Sequence, residues 1–368
     1  MKKQVAVVIP YYHNELSETE RIAFKQCIKV LLNYPIMLIA PDSIEISEAV
    51  QDSGVQIVKV PSKWMQSIES YNQMMLNENF YRMFLEYKYI LIYQLDAFVF
   101  QDELKKFCNL GYDYIGAPWL FGAEYFKGKR DCRGNVGNGG FSLRNVEASI
   151  KMLKDDPVSE KSMPEDVYWS IHDSDEFSVA PKEVALQFSI EEPAEKMFWL
   201  NGQQLPFGCH AWNKKSFVFW KPIIENFGYE LSEARDANNQ KLFKNHFQSV
   251  WSLSCDEFKA GIRKLGLGKE KVFIWGAGVI GKGWVIAFQC AGVAVQCVDS
   301  DEARWGEYLW NVRIESPDVL KYIKEGSTLF IATKKYKDEV KERLLFMGIL
   351  HKLRIFFYED VLKNCFIL

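Results

Sequence analysis

The first hundred residues alternate between short apolar runs and longer amphipathic segments. Helical periodicity covers 17–32 and 67–85, and Ser17 with Glu20 has the spacing of a capping box. The apolar runs predict buried strands, because each is short and ends at turn-forming or polar residues. These runs cover 5–10, 36–40, 56–60 and 89–93. Such an alternation predicts an α/β fold with a largely parallel sheet and helices on both faces.

The pattern changes after residue 111 and returns near the C-terminus. Between 111 and 220, glycine, proline, tryptophan and asparagine are frequent, which predicts short helices and many loops. Apolar runs then reappear and predict a second, Rossmann-like α/β domain; they cover 272–275, 293–298 and 328–332. We therefore expect three parts: a first domain over 1–224, a mostly helical and charged connector over 225–268, and a second domain over 269–368.

Composition narrows the class of protein. The chain has 368 residues, of which 48% are hydrophobic and 25% charged, and its net charge is -3. These values are typical of a soluble globular protein and give no basic surface for nucleic acid. No apolar stretch reaches the roughly 18 residues of a membrane span, and the N-terminus lacks a signal-peptide pattern. We expect a cytoplasmic protein, with peripheral attachment to the inner face of the membrane as the alternative.

Cysteine spacing gives no metal-binding pattern. The eight cysteines are scattered and no pair has C-x-x-C spacing, which argues against a zinc site. We expect most of them to be thiols. Aromatic residues make up 15% of the chain. Their flat faces suit sugar rings and nucleobases, but they fill cores equally well.

Polar residues follow several of the predicted strands. Asp96 comes shortly after the run 89–93, Pro10 ends the first run, and Asp42 follows the second. Ligands of open α/β sheets bind beyond the carboxyl ends of the strands. A buried carboxylate at Asp96 needs a cation or hydrogen-bond donors, and Mg²⁺ or Mn²⁺ on a diphosphate is one such cation. The alternative is that Asp96 caps the following turn.

Two motifs with turn-forming glycines lie in the loop-rich part. A turn containing Gly116 and Pro118 presents Trp119, which could stack on a sugar or fill the core. The segment 134–144 reads GNVGNGGFSLR, and it lacks the G-K-[ST] ending of a P-loop. Four glycines in its first seven residues allow close backbone approach to a ligand. We interpret it as a ligand-facing loop, with a purely structural turn as the alternative.

Two further motifs carry titratable groups. Glu165 and Asp166 follow Pro164 at a predicted helix start, where acidic residues satisfy free backbone N–H groups. Asp166 could instead act as a general base. His210 lies in a loop of glycine, proline and aromatic residues, where it is either a metal ligand or a hydrogen-bonded interior residue.

The C-terminal part contains a G-x-G-x-x-G pattern. Its glycines are Gly276, Gly278 and Gly281; it follows a predicted strand, precedes a helix, and is followed by Asp299. This context meets the structural test for a dinucleotide or nucleotide site, so NAD or a nucleotide is a candidate ligand. The alternative is that the glycines serve only helix–strand packing, and no catalytic set of a dehydrogenase follows them.

Taken in order, the motifs of residues 4–222 resemble those of GT-A glycosyltransferases, in particular a bacterial branch with the series Q-x-D, DYIGAPW, GNGGFSLR and PED. The resemblance implies an enzyme that moves a sugar from a nucleoside-diphosphate sugar to a hydroxyl group. It also implies that Asp96 and His210 bind Mg²⁺ or Mn²⁺ on the donor diphosphate. Gln94 stands where the family's metal motif has its first carboxylate.

The same resemblance assigns roles to further positions. Asp166, beside Glu165 in the acidic motif, matches the catalytic base of inverting members. The acceptor and sugar side would be formed by Trp119, Asn138, Gly139 and Gly140. The nucleotide and donor side would be formed by Pro10, Tyr11, Tyr12, Asp42, Tyr71, Asn72, Gln94 and Asp96.

The resemblance also implies the setting of the reaction. The acceptor would be a glycan, or a lipid-linked or protein-linked sugar, in bacterial surface polysaccharide or glycoconjugate synthesis. The C-terminal part resembles small Rossmann domains fused to such enzymes, and a homo-oligomer is compatible with the sequence. Two other functions are compatible with the motifs: an NAD(P)-dependent oxidoreductase or epimerase of sugar nucleotides, and a non-catalytic carbohydrate-binding module.

Overall fold

The computed structural model describes residues 2–119, 136–158, 163–214, 216–232, 253, 255–267, 270–333 and 336–365. The chain divides into two compact units, Met1–Asp236 and Ala237–Leu368. The division falls inside the segment 225–268 that we expect to be a connector. Within that segment the helix Cys255–Lys264 packs into the core of the second unit.

The first unit is built on a six-stranded sheet. Its strand order is β3-β2-β1-β4-β9-β6, with β3, β2, β1 and β4 parallel and β9 and β6 antiparallel to their neighbours. The predicted α/β fold class is confirmed. The strands are β1 Lys3–Pro10, β2 Ile36–Pro41, β3 Gln56–Val60, β4 Tyr87–Tyr93, β5 Phe98–Val99, β6 Tyr114–Ile115, β7 Ala117–Pro118, β8 Val136–Gly137, β9 Phe141–Asn145, β10 Ser189–Ile190 and β11 Gly208–Cys209.

Helices cover both faces of this sheet, so its central strands are apolar on both sides. In β1, Val5, Val7 and Ile9 enter one core, whereas Ala6 and Val8 enter the other. The helices are α1 Glu18–Leu31, α2 Glu48–Gln51, α3 Ile68–Met75, α4 Glu78–Arg82, α5 Leu104–Leu110, α6 Val146–Asp155, α7 Glu165–Ile171, α8 Lys182–Phe188, α9 Ala194–Leu200 and α10 Phe217–Glu225.

One helix prediction is confirmed and one is wrong. At the start of α1 the capping box is present: Glu20 N–H donates to Ser17 Oγ at 3.3 Å, and Ser17 N–H donates to the Glu20 carboxylate at 2.8 Å. The single helix expected over 67–85 is instead two helices, α3 and α4. The break occurs because Asn77 accepts a hydrogen bond from Asn79 N–H and caps a new helix.

A small second sheet brings three chain segments together beside the main one. Its order is β10-β11-β5, with Ile190 opposite Cys209 and Cys209 opposite Phe98. The residues next to these pairs therefore meet at one end of the sheet. His210 N–H donates to Ile190 O at 3.1 Å, and Trp212 N–H donates to Asp96 O at 3.3 Å.

The second unit has its own six-stranded sheet, ordered β14-β15-β13-β12-β16-β17 and parallel except for the β14–β15 pair. Its strands are β12 Val272–Trp275, β13 Val295–Val298, β14 Tyr308–Leu309, β15 Val312–Glu315, β16 Ser327–Ile331 and β17 Leu353–Phe357. Its helices are Cys255–Lys264, Val279–Cys290, Lys337–Phe346 and Tyr358–Cys365. No helix in the described part of the chain has the length and apolar character of a membrane span.

Candidate functional site

Asp96 lies just beyond the carboxyl end of β4 and meets two cationic side chains. Its Oδ1 is 3.0 Å from Nε2 of His210, and its Oδ2 is 2.7 Å from Nζ of Lys214. His210 is 10% exposed at its side chain, whereas Lys214 is 60% exposed. The cluster therefore runs from a buried imidazole to an ammonium group in contact with solvent.

The charges of this cluster hold one another in the ionised state. Burial opposes the charge on Asp96, but His210 and Lys214 outweigh it and hold the pKa of that carboxyl well below its usual range. Burial lowers the pKa of His210, but Asp96 and then Glu191 outweigh it and raise the pKa to about 10. The pKa of Lys214 is raised by Asp96 against the effect of burial. At neutral pH the site thus presents a carboxylate between two cations.

Gln94 and Gly140 complete the surroundings of the His210 ring. Oε1 of Gln94 is 3.2 Å from Nε2 of His210, and Gln94 N–H donates to Gly140 O at 2.8 Å. A Cβ on Gly140 would overlap with Nε2 of His210 and lie 2.7 Å from Oε1 of Gln94. Glycine is needed here because the imidazole of His210 occupies the space that a side chain would fill.

We expect Gly140→Ala to displace His210 and to lower the free energy of unfolding by about 1–3 kcal/mol, the usual range for an overpacked interior. Urea unfolding followed by circular dichroism would measure the change. Gly278→Ala is the matched control, because a Cβ on Gly278 meets nothing within 4 Å and its φ is -70°. Equal unfolding midpoints for Gly140→Ala and the unmodified chain would contradict this account of the glycine.

The neighbouring Gly139 makes room for a different side chain. A Cβ on Gly139 would overlap with Oε1 of Glu165. Asn138 before it has a φ of 56°, in the left-handed region that asparagine tolerates better than most residues. The predicted ligand-facing loop is thus a tight turn between β8 and β9 whose two glycines admit His210 and Glu165. Gly134 and Asn135 of the motif lie outside the described residues.

Trp119 packs across this turn. Its Nε1 donates to Oδ1 of Asn138 at 2.8 Å, and its ring fills the place that a side chain on Gly137 would take. The tryptophan is half-buried. Trp119 and Asn138, both expected on the acceptor side, are therefore in direct contact.

Glu165 forms a buried ion pair inside the first unit. Its carboxylate is 2.8 Å from Nη2 of Arg144, and both side chains are almost fully buried. Arg144 also donates to Tyr81 Oη at 2.9 Å and to Gly139 O at 3.2 Å. Burial raises the pKa of Glu165 to about 7, against the opposing effect of Arg144. Glu165 therefore already has a charge partner within the fold.

Asp166 is the next residue, and among the described residues it forms no ion pair with a cation. Its Oδ1 accepts the N–H of Val167 at 2.9 Å. Burial raises its pKa, and the nearby charge of Glu191 raises it further. A carboxylate with a raised pKa is a better proton acceptor near neutral pH than an exposed one. The two acidic residues in the first turn of α7 therefore differ in their partners, since Glu165 is paired with Arg144 and Asp166 accepts a backbone N–H.

The positions expected on the nucleotide side differ in accessibility. Pro10 and Tyr11 are buried, and Tyr11 Oη donates to Asn14 O at 3.1 Å. Tyr12 is 48% exposed, and burial followed by the charge of Asp96 raises its pKa. Tyr12 is therefore the aromatic side chain of this strand end that faces outward beside Asp96.

The remaining nucleotide-side positions lie on the second strand end and on α3. Asp42 is exposed and accepts hydrogen bonds from both the N–H and the hydroxyl of Ser62. Tyr71 and Asn72 are half-buried on α3. Burial and then Glu165 raise the pKa of Tyr71. The carboxylate of Glu165 is therefore close enough to Tyr71 to affect its pKa. Asp42 holds the loop after β3 in place through its hydrogen bonds to Ser62.

The residues around Asp96 can hold a divalent cation only when His210 is deprotonated, because a protonated ring nitrogen has no lone pair for a metal; the protein ligands would then be Asp96, His210 and the amide oxygen of Gln94. Apart from its ion pair with His210, Asp96 Oδ1 is buried without a hydrogen-bond partner among the described residues. Gln94 Oε1, which is 3.2 Å from Nε2 of His210, would be the third ligand and the second oxygen. Among the described residues no group of three or more His, Cys, Asp and Glu is placed to hold a metal.

In the second unit, packing explains two of the three motif glycines. Gly276 has a φ of +110°, and a Cβ on Gly281 would overlap with Gly276 O. Gly278 faces open space. Asp299 accepts Ala277 N–H at 2.5 Å and Asp301 N–H at 2.9 Å. Asp299 therefore belongs to the hydrogen bonding of the loop itself.

Sequence reasoning missed two residues of the first-unit site. Lys214 follows His210 by one short turn, and an isolated lysine after an aromatic loop gives no signal. Glu191 has Oε1 3.4 Å from Nδ1 of His210. The sequence did indicate Glu191 in part, because this acidic residue directly follows the buried strand β10, much as Asp96 follows β4.

Comparison with known proteins gives one family match. A model described as a protein of unknown function (DUF5672) matches residues 54–210. That segment contains Gln94, Asp96, Asp166 and His210. No curated protein matches the chain.

Several solved structures are distantly similar. The glycosyltransferase GlyE of Streptococcus pneumoniae TIGR4 is 15% identical with a TM-score of 0.35, over 97% of this chain and 91% of that one. The galactosyltransferase LgtC, crystallised with donor and acceptor sugar analogues, is 14% identical with a TM-score of 0.41, over 62% and 98%. UDP-D-quinovosamine 4-dehydrogenase from Vibrio fischeri is 19% identical with a TM-score of 0.21, over 26% and 86%. Likeness at this level carries no information about activity.

Proposed function

We propose that the first unit is a glycosyltransferase that moves a sugar from a nucleoside-diphosphate sugar to a hydroxyl of a glycan or of a lipid-linked or protein-linked acceptor. The observation that carries the proposal is the cluster of Asp96, His210 and Lys214 beyond the carboxyl end of the parallel sheet. Ligands of open α/β sheets bind at this edge. The motif series of residues 4–222 supports the same assignment.

The donor end needs positive charge, because the bond that breaks leaves an additional negative charge on the nucleoside diphosphate. Lys214 is the cation best placed to supply it, since its ammonium group is exposed and anchored by Asp96. Asp96, His210 and Gln94 would hold Mg²⁺ or Mn²⁺, which when bound supplies charge neutralisation of the same kind. Tyr12, exposed beside them, offers a flat face to the donor.

The acceptor end needs a base. Asp166 takes the proton of the acceptor hydroxyl as that oxygen forms a bond to the anomeric carbon. The bond from the anomeric carbon to the diphosphate oxygen breaks in the same step, and the electron pair leaves with the nucleoside diphosphate. Attack opposite the leaving group inverts the anomeric configuration. Glu165, already paired with Arg144, keeps the helix start in place.

The test is a panel of nucleoside-diphosphate sugars, scored by thermal stabilisation and by release of the nucleoside diphosphate with Mn²⁺, with Mg²⁺ and with a chelator. We expect one nucleotide to stabilise the chain and to be turned over, and Asp96→Asn to reduce both effects at least about tenfold, the usual cost of losing a charged contact. Asp52→Asn is the control, because Asp52 is exposed at the end of α2.

Other outcomes would replace the proposal. Tight NAD binding with a cofactor-dependent absorbance change would favour an oxidoreductase or epimerase. Binding of a glycan without release of any nucleoside diphosphate would favour a carbohydrate-binding module. If a chelator does not change turnover, the protein is still a transferase, but the positive charge at the donor end comes from Lys214 and not from a metal ion.

A further inference from the structure

Glu191 lies beside His210 because of the strand register. Strands β10 and β11 are parallel, with Ile190 opposite Cys209. The residues that follow this pair are Glu191 and His210, and the N–H of His210 donates to Ile190 O. The backbone pairing of the two strands is therefore sufficient to place the two side chains next to each other.

The imidazole of His210 lies between two carboxylates. Its Nδ1 is 3.4 Å from Oε1 of Glu191, and its Nε2 is 3.0 Å from Oδ1 of Asp96. The side chains of His210 and Glu191 are 10% and 19% exposed. Each ring nitrogen thus faces a different acidic group in a mostly buried site.

Without Glu191 one side of the ring has no partner. His210 Nδ1 is buried and makes no hydrogen bond within the described residues, and Glu191 is the acidic group paired with it. A half-turn of the ring exchanges its nitrogen and carbon positions, so a carboxylate on the Nδ1 side selects the orientation that points Nε2 at Asp96. Carboxylates commonly orient functional histidines through the second ring nitrogen.

We propose that Glu191 is a positioning residue that fixes the orientation of the His210 ring, and with it the donor end of the site. The consequence for catalysis rests on the proposed function, but the orientation of the ring does not. Glu191 also acts on the acceptor end, because its charge adds to the effect of burial on Asp166. A direct role of Glu191 as the base is therefore the competing assignment that the experiment must separate.

The experiment uses the full chain with ¹⁵N-labelled histidine. The chain contains five histidines, and the His210 ring signals are assigned by comparison with His210→Asn. In Glu191→Gln we expect the His210 ring signals to shift and broaden as a second orientation becomes populated, with the other histidines unchanged. Glu191→Asp, which keeps the charge on a shorter side chain, should restore part of the original spectrum. Glu183→Gln is the control, because the Glu183 side chain is exposed on α8, ahead of β10.

Binding of Mn²⁺ alone gives an independent readout. We expect Glu191→Gln to weaken it about 10- to 100-fold, as removal of a residue that orients a metal ligand usually does, while Glu183→Gln leaves it unchanged. A Glu191→Gln chain with an unchanged His210 spectrum would overturn the proposal. Lost turnover in that chain would then identify Glu191 as a residue that acts on the substrate. If no sugar nucleotide is turned over by the unmodified chain, the proposed function fails, and the ring spectra still decide the role of Glu191.

Discussion

Replacing Arg144 with alanine is expected to lower the free energy of unfolding of the first unit by about 3–5 kcal/mol, the usual cost of breaking a buried ion pair from one side. The guanidinium is fully buried against Glu165 at 2.8 Å and donates to Tyr81 and to Gly139 O. Its removal leaves a carboxylate in the interior without its cation. Urea unfolding, with amide hydrogen exchange to locate the change, would measure the loss.

Two further variants separate the ion pair from other effects of truncation. Arg144→Met combined with Glu165→Met removes both charges at similar volume, and we expect this chain to regain part of the lost stability. Lys151→Ala breaks the exposed pair with Glu176 at 2.9 Å and should leave the unfolding midpoint unchanged. An Arg144→Ala chain as stable as Lys151→Ala would contradict the role given to the buried pair.

The fold was predictable where burial alone decides the pattern. The strands expected over 36–40 and 272–275 are observed at Ile36–Pro41 and Val272–Trp275, because a strand covered on both faces is a continuous apolar run. The helix expected over 67–85 was wrong for a local reason. Periodicity continues through the segment, but Asn77 offers the backbone a cap in its middle.

The candidate site was predictable only in part. Asp96 and His210 could be found because a charged or titratable residue in an apolar or aromatic segment is conspicuous. Glu191 and Lys214 could not be assigned, because their importance comes from the register of β10, β11 and β5, which pairs distant segments.

The glycines of the GNGGFSLR motif illustrate the same limit. Their density predicted a loop that approaches a ligand. The structure gives Gly139 and Gly140 a different reason, since their missing Cβ atoms admit Glu165 and His210. A sequence shows that a side chain is absent, but not which distant group needs the space.

The two ends of the site are connected through this turn. Gly140 contacts the donor end at His210, and Gly139 contacts Glu165, whose neighbour in the chain is Asp166. Arg144 lies on β9 directly after the turn and binds Glu165. A displacement of the turn would therefore move both the His210 cluster and the start of α7, where the proposed base lies.

Replacing Asp166 with asparagine is accordingly expected to lower kcat about 10²- to 10⁴-fold, the usual contribution of a general base, while the KM for the donor changes little. The substituted side chain would keep the shape of the aspartate, and its amide oxygen can still accept the N–H of Val167, so the helix start should persist. Asp175→Asn, which changes an exposed acidic residue beyond the same helix, is the control.

The pH dependence tests the same residue from a second direction. Burial and then Glu191 raise the pKa of Asp166, and a base works only when it is unprotonated. The rate of the unmodified chain should therefore fall as the pH decreases, with a midpoint above the usual pKa of about 3.9 for an aspartate. The residual rate of Asp166→Asn should not show this decrease. Lys214 stays charged over this range, because its pKa is raised. Burial also raises the pKa of Glu165, to about 7, so the comparison with Asp166→Asn is what assigns the decrease to Asp166. Near-normal turnover in Asp166→Asn, or a product with the anomeric configuration of the donor retained, would remove Asp166 from the role of base and leave its raised pKa as a consequence of burial beside Glu191.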